Sequence, residues 1–223
     1  MSRIQLLIDE EEYDTIYTLA DWIDWTQISI EPRLSENFIR EFAEYVDWGE
    51  ISSYQRHLSD DFIREFSNYI DWEQYCRTGD VPQIIIREFP DEVYWDLISH
   101  AAPSEDLIRD FQHRVDWESI SSCQPLSVPF IKEFAHKVDW ECISRHQNIT
   151  DELCDLFYDR LDWDEIARDR RLTYRFIKKY SQHIPKVNRI KAIIKKAEDV
   201  NHALNDSTNL PNCIITNIVE FLM

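Results

Sequence analysis

Tryptophan recurs along this chain at a nearly fixed interval. Seven of the eight tryptophans lie 23, 24, 23, 22, 23 and 23 residues apart, and only Trp22 falls outside this register. The seven are Trp25, Trp48, Trp72, Trp95, Trp117, Trp140 and Trp163. A period of this length is typical of solenoids, in which one unit cannot bury its own apolar face and so stacks on its neighbours. The spacing therefore predicts a repeat protein and argues against most enzyme folds.

Each repeat is predicted to form two short helices. The clearest copies, residues 34–52 and 126–144, read LSENFIREFAEYVDWGEIS and LSVPFIKEFAHKVDWECIS. Ser35 suits the N-cap of a first helix and Asp47 that of a second, because their side-chain oxygens accept from free backbone N–H groups. Apolar residues follow Ser35 at helical spacing and predict one buried face. In this copy they are Phe38, Ile39, Phe42 and Val46.

The same register predicts the core of the stack. All seven repeating tryptophans are expected there, together with five phenylalanines that each lie six residues before one of them. These phenylalanines are Phe42, Phe66, Phe89, Phe111 and Phe134. A buried tryptophan removes about 150–250 Å² from water. Trp117→Ala or Trp140→Ala should therefore cost about 3–5 kcal/mol, and Trp22→Ala much less.

The pattern weakens at both ends. The first copy, about residues 11–33, lacks the phenylalanine pair, and a partial eighth copy begins at Leu172 with Pro185-Lys186 in place of Asp-Trp. The sequence thus predicts an all-α protein, a right-handed α-solenoid of about seven two-helix repeats plus a partial eighth, over residues 1–184. An N-terminal cap is expected over about residues 1–33. Residues 185–223 are expected to form a basic linker or helix and a C-terminal capping or docking helix.

The fourth copy, residues 81–102, departs from the pattern. Pro82 stands at the first cap position, Pro90 falls late in the first helix, and Tyr94 replaces the aspartate cap. Proline is expected to shorten or kink that helix, and Gly79 is expected to end the preceding one. Two interpretations stay open: a bend or relaxed joint in the stack, and a docking irregularity for a partner.

Charge is strongly partitioned along the chain. Residues 1–167 hold 13 Lys and Arg against 38 Asp and Glu, a net charge of −25, whereas residues 168–196 hold 11 against one, a net of +10. The basic block is Arg168, Arg170, Arg171, Arg175, Lys178, Lys179, Lys186, Arg189, Lys191, Lys195 and Lys196. Four alternatives stay open: a phosphate-rich ligand at the basic end, self-association of basic end with acidic repeats, an acidic surface for a basic protein, and mere solubility. The acidic body argues against direct nucleic-acid binding.

Sequence motifs for catalysis are missing. The chain has two glycines and no GxGxxG, Walker or GxSxG motif. Cys142 and His146 share a helix face, with Cys123 one repeat earlier, but no fourth ligand is indicated. We therefore predict no enzyme, no catalytic residue, no cofactor and no metal.

An Arg-Glu pair or its equivalent recurs within the predicted first helices. The copies are Arg40-Glu41, Arg64-Glu65, Arg87-Glu88, Arg109-Asp110 and Lys132-Glu133. This repetition predicts a ladder of ion pairs between adjacent repeats, with a greater effect on register than on stability.

The five cysteines and the apolar pattern bear on location. The cysteines form no CxxC, their number is odd, no long apolar run occurs, and the first residues turn acidic without a signal peptide. We expect an intracellular protein, not secreted and not inserted in a membrane.

The wording LSENFIREF…VDW…IS, repeated head to tail over residues 34–144, resembles the short Asp-Trp helical repeats of proteins from large eukaryotic DNA viruses and some phages. The resemblance implies an interaction scaffold, located in host cytoplasm or in a virion. It leaves open a soluble adaptor and a minor structural or assembly component of a large virus particle.

The last 14 residues resemble the opening of an F-box. The positions that carry this likeness are Leu210, Pro211, Ile214, Ile215, Ile218, Phe221 and Leu222. The likeness implies a ubiquitin-ligase adaptor, and the simpler alternative is a helix that caps the last repeat.

The leading prediction is a non-enzymatic scaffold that binds a host or viral protein through the solenoid. The candidate partner-binding residues are Arg168, Arg170, Arg171, Arg175, Lys178, Lys179, Lys191, Lys195, Leu210, Pro211, Ile214, Ile218 and Phe221.

Overall fold

The computed structural model describes Ile8, residues 12–168 and residues 174–184. Within these residues every regular element is a helix, which confirms the predicted all-α repeat architecture. The chain divides into two compact units, Met1–Asp116 and Trp117–Met223. The right-handed sense of the stack stays a prediction.

Short helices alternate with tight turns throughout the first unit. Its described helices are α1 (Tyr13–Thr18), a 3-10 turn (Ala20–Trp22), α2 (Trp25–Ile30), α3 (Glu36–Glu41), α4 (Trp48–Tyr54), α5 (Asp60–Glu65), α6 (Trp72–Arg77), α7 (Gln83–Glu88), α8 (Trp95–His100) and α9 (Glu105–Asp110). The second helix of each repeat packs against the second helix of the next, so that α2, α4, α6 and α8 form one row.

The second unit continues the same alternation. Its described helices are α10 (Trp117–Cys123), α11 (Val128–Glu133), α12 (Trp140–His146), α13 (Asp151–Phe157), α14 (Trp163–Arg168) and α15 (Tyr174–Lys179). Here α10, α12 and α14 form the row of packed second helices.

Side-chain caps begin the helices of a repeat. The Ser35 hydroxyl accepts from the N–H of Phe38 at 3.1 Å, and the Asp47 carboxylate accepts from the N–H groups of Gly49 and Glu50 at 3.0 and 3.3 Å. These bonds satisfy N–H groups that have no partner within the helix. Both predicted caps are confirmed.

The apolar core runs along the inner faces of both helix sets. The buried positions of the clearest copy include Leu34, Phe38, Ile39, Phe42 and Ile51. The equivalent positions are also buried and apolar in other copies, as at Phe62 and Ile63 and at Phe130 and Ile131. Stacked repeats of this kind cover one another's apolar faces.

The irregular fourth copy keeps the length of its first helix. Helix α7 has six residues, as does α3, and Pro90 lies two residues beyond its end. The expected shortening by proline is therefore wrong, because Pro90 falls in a turn where no helical N–H bond is lost. Gly79 has φ +76° directly after helix α6, which confirms that it ends that helix.

None of the described helices is long and apolar enough to cross a membrane.

Candidate interaction surface

Each repeating tryptophan stands at the first position of a second helix and bridges to the next repeat. The indole N–H of Trp48 donates to the Ala43 carbonyl at 2.9 Å, which fixes the ring against the preceding turn. The ring of Trp48 then stacks on Phe66 of the following repeat, with centroids 5.1 Å apart. Trp140 repeats this arrangement in the second unit, where it donates to Ala135 at 3.1 Å and packs on Phe157 at 4.9 Å.

The tryptophans are not equally buried. Trp72 is buried, with 7% of its surface exposed, whereas the other six repeating tryptophans are half-buried. Trp22, outside the register, is 87% exposed. Of the predicted core phenylalanines, Phe42 and Phe134 are buried and the other three are half-buried. The half-buried rings leave an aromatic edge along the repeats.

A tyrosine covers the outer side of two of these tryptophans in the first unit. Tyr45 lies 5.0 Å from Trp25, and Tyr69 lies 5.2 Å from Trp48, measured between ring centroids. These tyrosines are 41% and 52% exposed. Tyr17, 6.2 Å from Tyr45, extends the row by one more ring. We call Tyr17, Trp25, Tyr45, Trp48 and Tyr69 the aromatic strip.

In the second unit the position of Tyr45 is held by a cation. Lys137 lies 5.6 Å from the centroid of Trp117, and Arg160 lies 5.7 Å from that of Trp140. Arg160 also donates to the Ala135 carbonyl at 2.6 Å, beside the tryptophan N–H that uses the same acceptor. The repeat therefore accommodates either an aromatic ring or a cation over its tryptophan.

Carboxylates border the aromatic strip. The Tyr17 hydroxyl donates to both the carbonyl and the carboxylate of Glu41, each at 3.0 Å. Partial burial and this hydrogen bond raise the pKa of the Tyr17 phenol, and the nearby charge of Glu44 adds to the increase. The carboxylate of Asp47, next to Trp48, accepts a hydrogen bond from Thr26 at 3.3 Å. The strip thus lies in a negatively charged setting.

The charge of the whole first unit has the same sign. Residues 1–116 contain 27 Asp and Glu against nine Arg and no Lys, a net charge of −18. Seven of those arginines are already engaged with carboxylates of the same unit. They are Arg40, Arg56, Arg64, Arg77, Arg87, Arg109 and Arg114. The unit consequently has a surplus of negative charge.

Some of these arginine–carboxylate pairs form the predicted ladder between repeats. Arg40 pairs with Glu65 at 2.8 Å and Arg64 with Glu88 at 2.6 Å, each joining one first helix to the next. Arg87 continues the series to Asp110 at 2.8 Å. These pairs confirm the predicted ladder in the first unit.

In the second unit, one ion pair between repeats has its acid and its base at exchanged positions. In the second unit Lys179 stands at the position of the acid and pairs with Asp155 at 2.9 Å. The Lys179 ammonium and the Tyr180 hydroxyl hydrogen-bond the Asp155 carboxylate and hold its pKa below the usual value. An ion pair between two repeats can therefore form with the base in the earlier repeat and the acid in the later one, or the reverse.

The predicted basic surface is only partly within the described residues. Arg168 is paired with Glu165, whereas Arg175 and Lys178 are exposed on helix α15. The remaining predicted partner-binding positions lie outside the described residues. They are Arg170, Arg171, Lys191, Lys195, Leu210, Pro211, Ile214, Ile218 and Phe221.

A serine that sequence reasoning passed over links successive repeats. The Ser52 hydroxyl donates to the Trp48 carbonyl at 2.6 Å and accepts from the N–H of Asp71, in the next repeat, at 3.0 Å. The same pair of bonds occurs at Ser29, Ser99, Ser121 and Ser144. Its signal in the sequence was the Ile-Ser pair that recurs after five of the seven repeating tryptophans, with the serine four residues beyond the tryptophan.

A buried glutamine adds a second link at two places. Gln55 donates to the carbonyls of Ser29 and Glu31 at 3.0 and 2.7 Å and accepts from the N–H of Leu34 at 3.2 Å. Gln147 makes equivalent bonds in the second unit. These amides fix the turn that leads into the next repeat.

Among the described residues, no group of three His, Cys, Asp or Glu could hold a metal ion. Burial and the neighbouring carboxylates of Asp151 and Asp155 raise the pKa of Cys154 to about 12, so its nucleophilic thiolate is scarce at neutral pH.

No family model, no curated protein and no solved structure matches this chain.

Proposed function

We propose that this protein is a non-enzymatic interaction scaffold that binds a partner protein through the aromatic strip of its first unit. The observation that carries the proposal is the Trp–Tyr pair, which recurs in two successive repeats with both tyrosines exposed. Tryptophan and tyrosine supply much of the binding energy in protein interfaces, because they offer large rigid surfaces with a polar tip. A repeated fold adds such pairs at regular intervals along one face.

Affinity purification with matched variants tests this proposal. The full chain, Tyr45→Ser/Tyr69→Ser and Tyr54→Ser would be compared in extracts of the native source. Tyr54 is a fair control, because it is 55% exposed and lies at the opposite end of helix α4 from Trp48. The proposal expects a protein that is retained by the wild type and by Tyr54→Ser but lost with the double variant. Identical sets of retained proteins from all three would contradict it.

Crosslinking chemistry must suit the composition of the first unit. No lysine precedes Lys132, so lysine-directed reagents report only on the second unit. A carbodiimide instead joins carboxylates of the first unit to lysines of a partner. Crosslinks from Glu41 or Glu44 to a soluble protein would support an adaptor role.

The more specific roles stay proposals. A viral origin, a place in a virus particle and an intracellular location would be supported by crosslinks between this chain and capsid-type proteins in purified particles. A ligase adaptor would be supported if deleting residues 209–223 left a stable protein that no longer bound a cullin complex. Loss of the fold on that deletion would favour a capping helix instead.

A further inference from the structure

We infer that the aromatic strip binds an extended basic segment with a cation at every third residue, an inference that rests on the proposed function. The second unit shows what this type of position accepts. Lys137 and Arg160 stand over Trp117 and Trp140 there, at the positions that Tyr45 and Tyr69 hold over Trp25 and Trp48. In the first unit the tyrosines cover the tryptophans, so the cations of a ligand would lie on the exposed tyrosine rings. Cations are attracted to the faces of aromatic rings, tryptophan above all.

Charge determines which partner fits. The first unit has a net charge of −18, and most of its arginines already pair with its own acids. The strip lies beside Glu41, whose carboxylate accepts from the Tyr17 hydroxyl at 3.0 Å, and Glu44 directly precedes Tyr45 in the chain. A basic segment therefore gains both the aromatic contact and the long-range attraction, whereas an acidic or purely apolar one gains at most one of them.

The spacing of the repeats sets the spacing of the cations. Packed helices lie about 8–10 Å apart, so successive Trp–Tyr pairs recur at about that distance. A polyproline II segment rises about 3.1 Å per residue with three residues per turn. Its residues i and i+3 consequently lie on one side, about 9 Å apart. A cation at every third residue matches one cation to each repeat.

The fourth repeat extends this register with a carboxylate. Glu92 holds the position of Tyr45 and Tyr69, three residues before the tryptophan of its own repeat, and it is exposed. A third cation of the same segment, at residue i+6, would meet this carboxylate instead of a tyrosine. The predicted ligand thus carries at least three cations in the order i, i+3 and i+6.

Synthetic peptides test the inference on the full chain. The probe is a labelled 12-residue peptide of four Arg-Ser-Pro units, compared with a peptide of equal composition whose four arginines are contiguous. A Glu-Ser-Pro peptide serves as the charge control. Fluorescence anisotropy should show binding of the spaced peptide about fivefold or more tighter than the contiguous one, and no binding of the acidic peptide. Added salt should weaken the binding.

A variant that copies the second unit makes the test specific. Tyr45→Lys/Tyr69→Lys places on Trp25 and Trp48 the cation that Lys137 places on Trp117. This variant should keep its helical circular dichroism and bind the spaced peptide at least about tenfold more weakly, because it lacks both exposed tyrosine rings and its lysines repel the cations of the peptide. Tyr54→Ser should bind like the wild type.

Several results would overturn the inference. Equal affinity for spaced and contiguous peptides would contradict the register, and unchanged binding by the lysine variant would place the basic ligand elsewhere. If no basic peptide binds, while Tyr45→Ser/Tyr69→Ser still loses a cellular partner, the inference fails and the proposed function stands. If sedimentation shows a dimer that the lysine variant abolishes, the strip is occupied by a second copy instead.

Discussion

The hydroxyl oxygen of Ser52 accepts a hydrogen bond from the backbone N–H of Asp71 at 3.0 Å, across the boundary between two repeats. Asp71 is the residue that caps the next second helix, and its carboxylate accepts from the N–H of Gln74. One serine therefore sets the position of the residue that starts the following helix. The bond is intrinsically polar and directional, so it specifies the register between repeats more strictly than apolar packing does.

Removing this hydroxyl should destabilise the protein more than removing its neighbour. Ser52→Ala leaves the Asp71 N–H without its acceptor, and we expect a loss of about 1–3 kcal/mol in the free energy of unfolding. Ser53→Ala is the matched control, because the Ser53 hydroxyl bonds only to the Gly49 carbonyl of its own helix. Urea denaturation followed by circular dichroism measures both. Equal losses would show that the Ser52–Asp71 hydrogen bond contributes no more to the free energy of unfolding than a hydrogen bond within one helix.

The junction between the third and fourth repeats has weaker versions of two of these features. Cys76 replaces the serine, with its sulfur 3.4 Å from the N–H of Tyr94, and Tyr94 provides no side-chain cap for helix α8. Tyr94→Asp should therefore stabilise the protein by about 1 kcal/mol through a restored cap. Cys76→Ser should add a further increment by restoring the stronger acceptor. A lowered urea midpoint for Tyr94→Asp would contradict the capping argument.

The buried glutamine should be among the least replaceable polar residues. Gln55→Leu would leave the Leu34 N–H and the carbonyls of Ser29 and Glu31 without their partners, at an expected cost of about 2–5 kcal/mol. Gln74→Leu, in the next second helix, is the control and should change the unfolding free energy by less than about 1 kcal/mol. The same denaturation experiment compares them. A neutral Gln55→Leu would mean that the turn does not depend on these bonds.

The ion-pair ladder should make stability depend on pH in acid. The hydrogen bond from Arg64 holds the pKa of Glu88 below its usual value of 4.5. Because the folded pKa is lowered, the contribution of Glu88 is present above pH 4.5 and disappears as the pH falls through the folded pKa. Glu88→Gln should thus lower the urea midpoint at pH 7, and the difference should shrink in acid. In an Arg64→Gln background the pH dependence of this difference should be lost.

Replacing a tryptophan inside the repeat register should destabilise the protein much more than replacing one outside it. Trp140 is held by its N–H bond to Ala135 and by stacking on Phe157, so Trp140→Ala should cost about 3 kcal/mol. Trp22 is 87% exposed, and Trp22→Ala should change stability by less than about 0.5 kcal/mol. Thermal unfolding of the two variants provides the comparison. Similar melting temperatures would contradict the repeat register.

Periodicity predicted the helices well, because apolar spacing and N-capping residues act locally. Ser35 and Asp47 cap the helices expected of them, and Gly79 ends the preceding helix with a positive φ. Pro90 was placed inside a helix because the sequence alone does not determine where a six-residue helix stops. Short helices end within a turn of their start, and a two-residue error changes the effect expected of a proline.

Contacts between repeats were less predictable. A serine beside a core isoleucine looks solvent-exposed until the next repeat brings an N–H to it, as Asp71 does to Ser52. The exposure of the tryptophans has the same cause, because the area of Trp48 left open depends on how Phe66 and Tyr69 of the following repeat cover it. The ion-pair ladder was predictable since opposite charges recurred at one helical position in consecutive copies.

Hydrogen–deuterium exchange with and without the spaced arginine peptide tests the central claim most directly. If the aromatic strip is the binding surface, saturating peptide should slow exchange in residues 41–48 and 66–72, around Tyr45 and Tyr69, and leave residues 52–55 unchanged. Slowed exchange confined to residues 117–184, or none at a concentration where anisotropy shows full binding, would contradict the account.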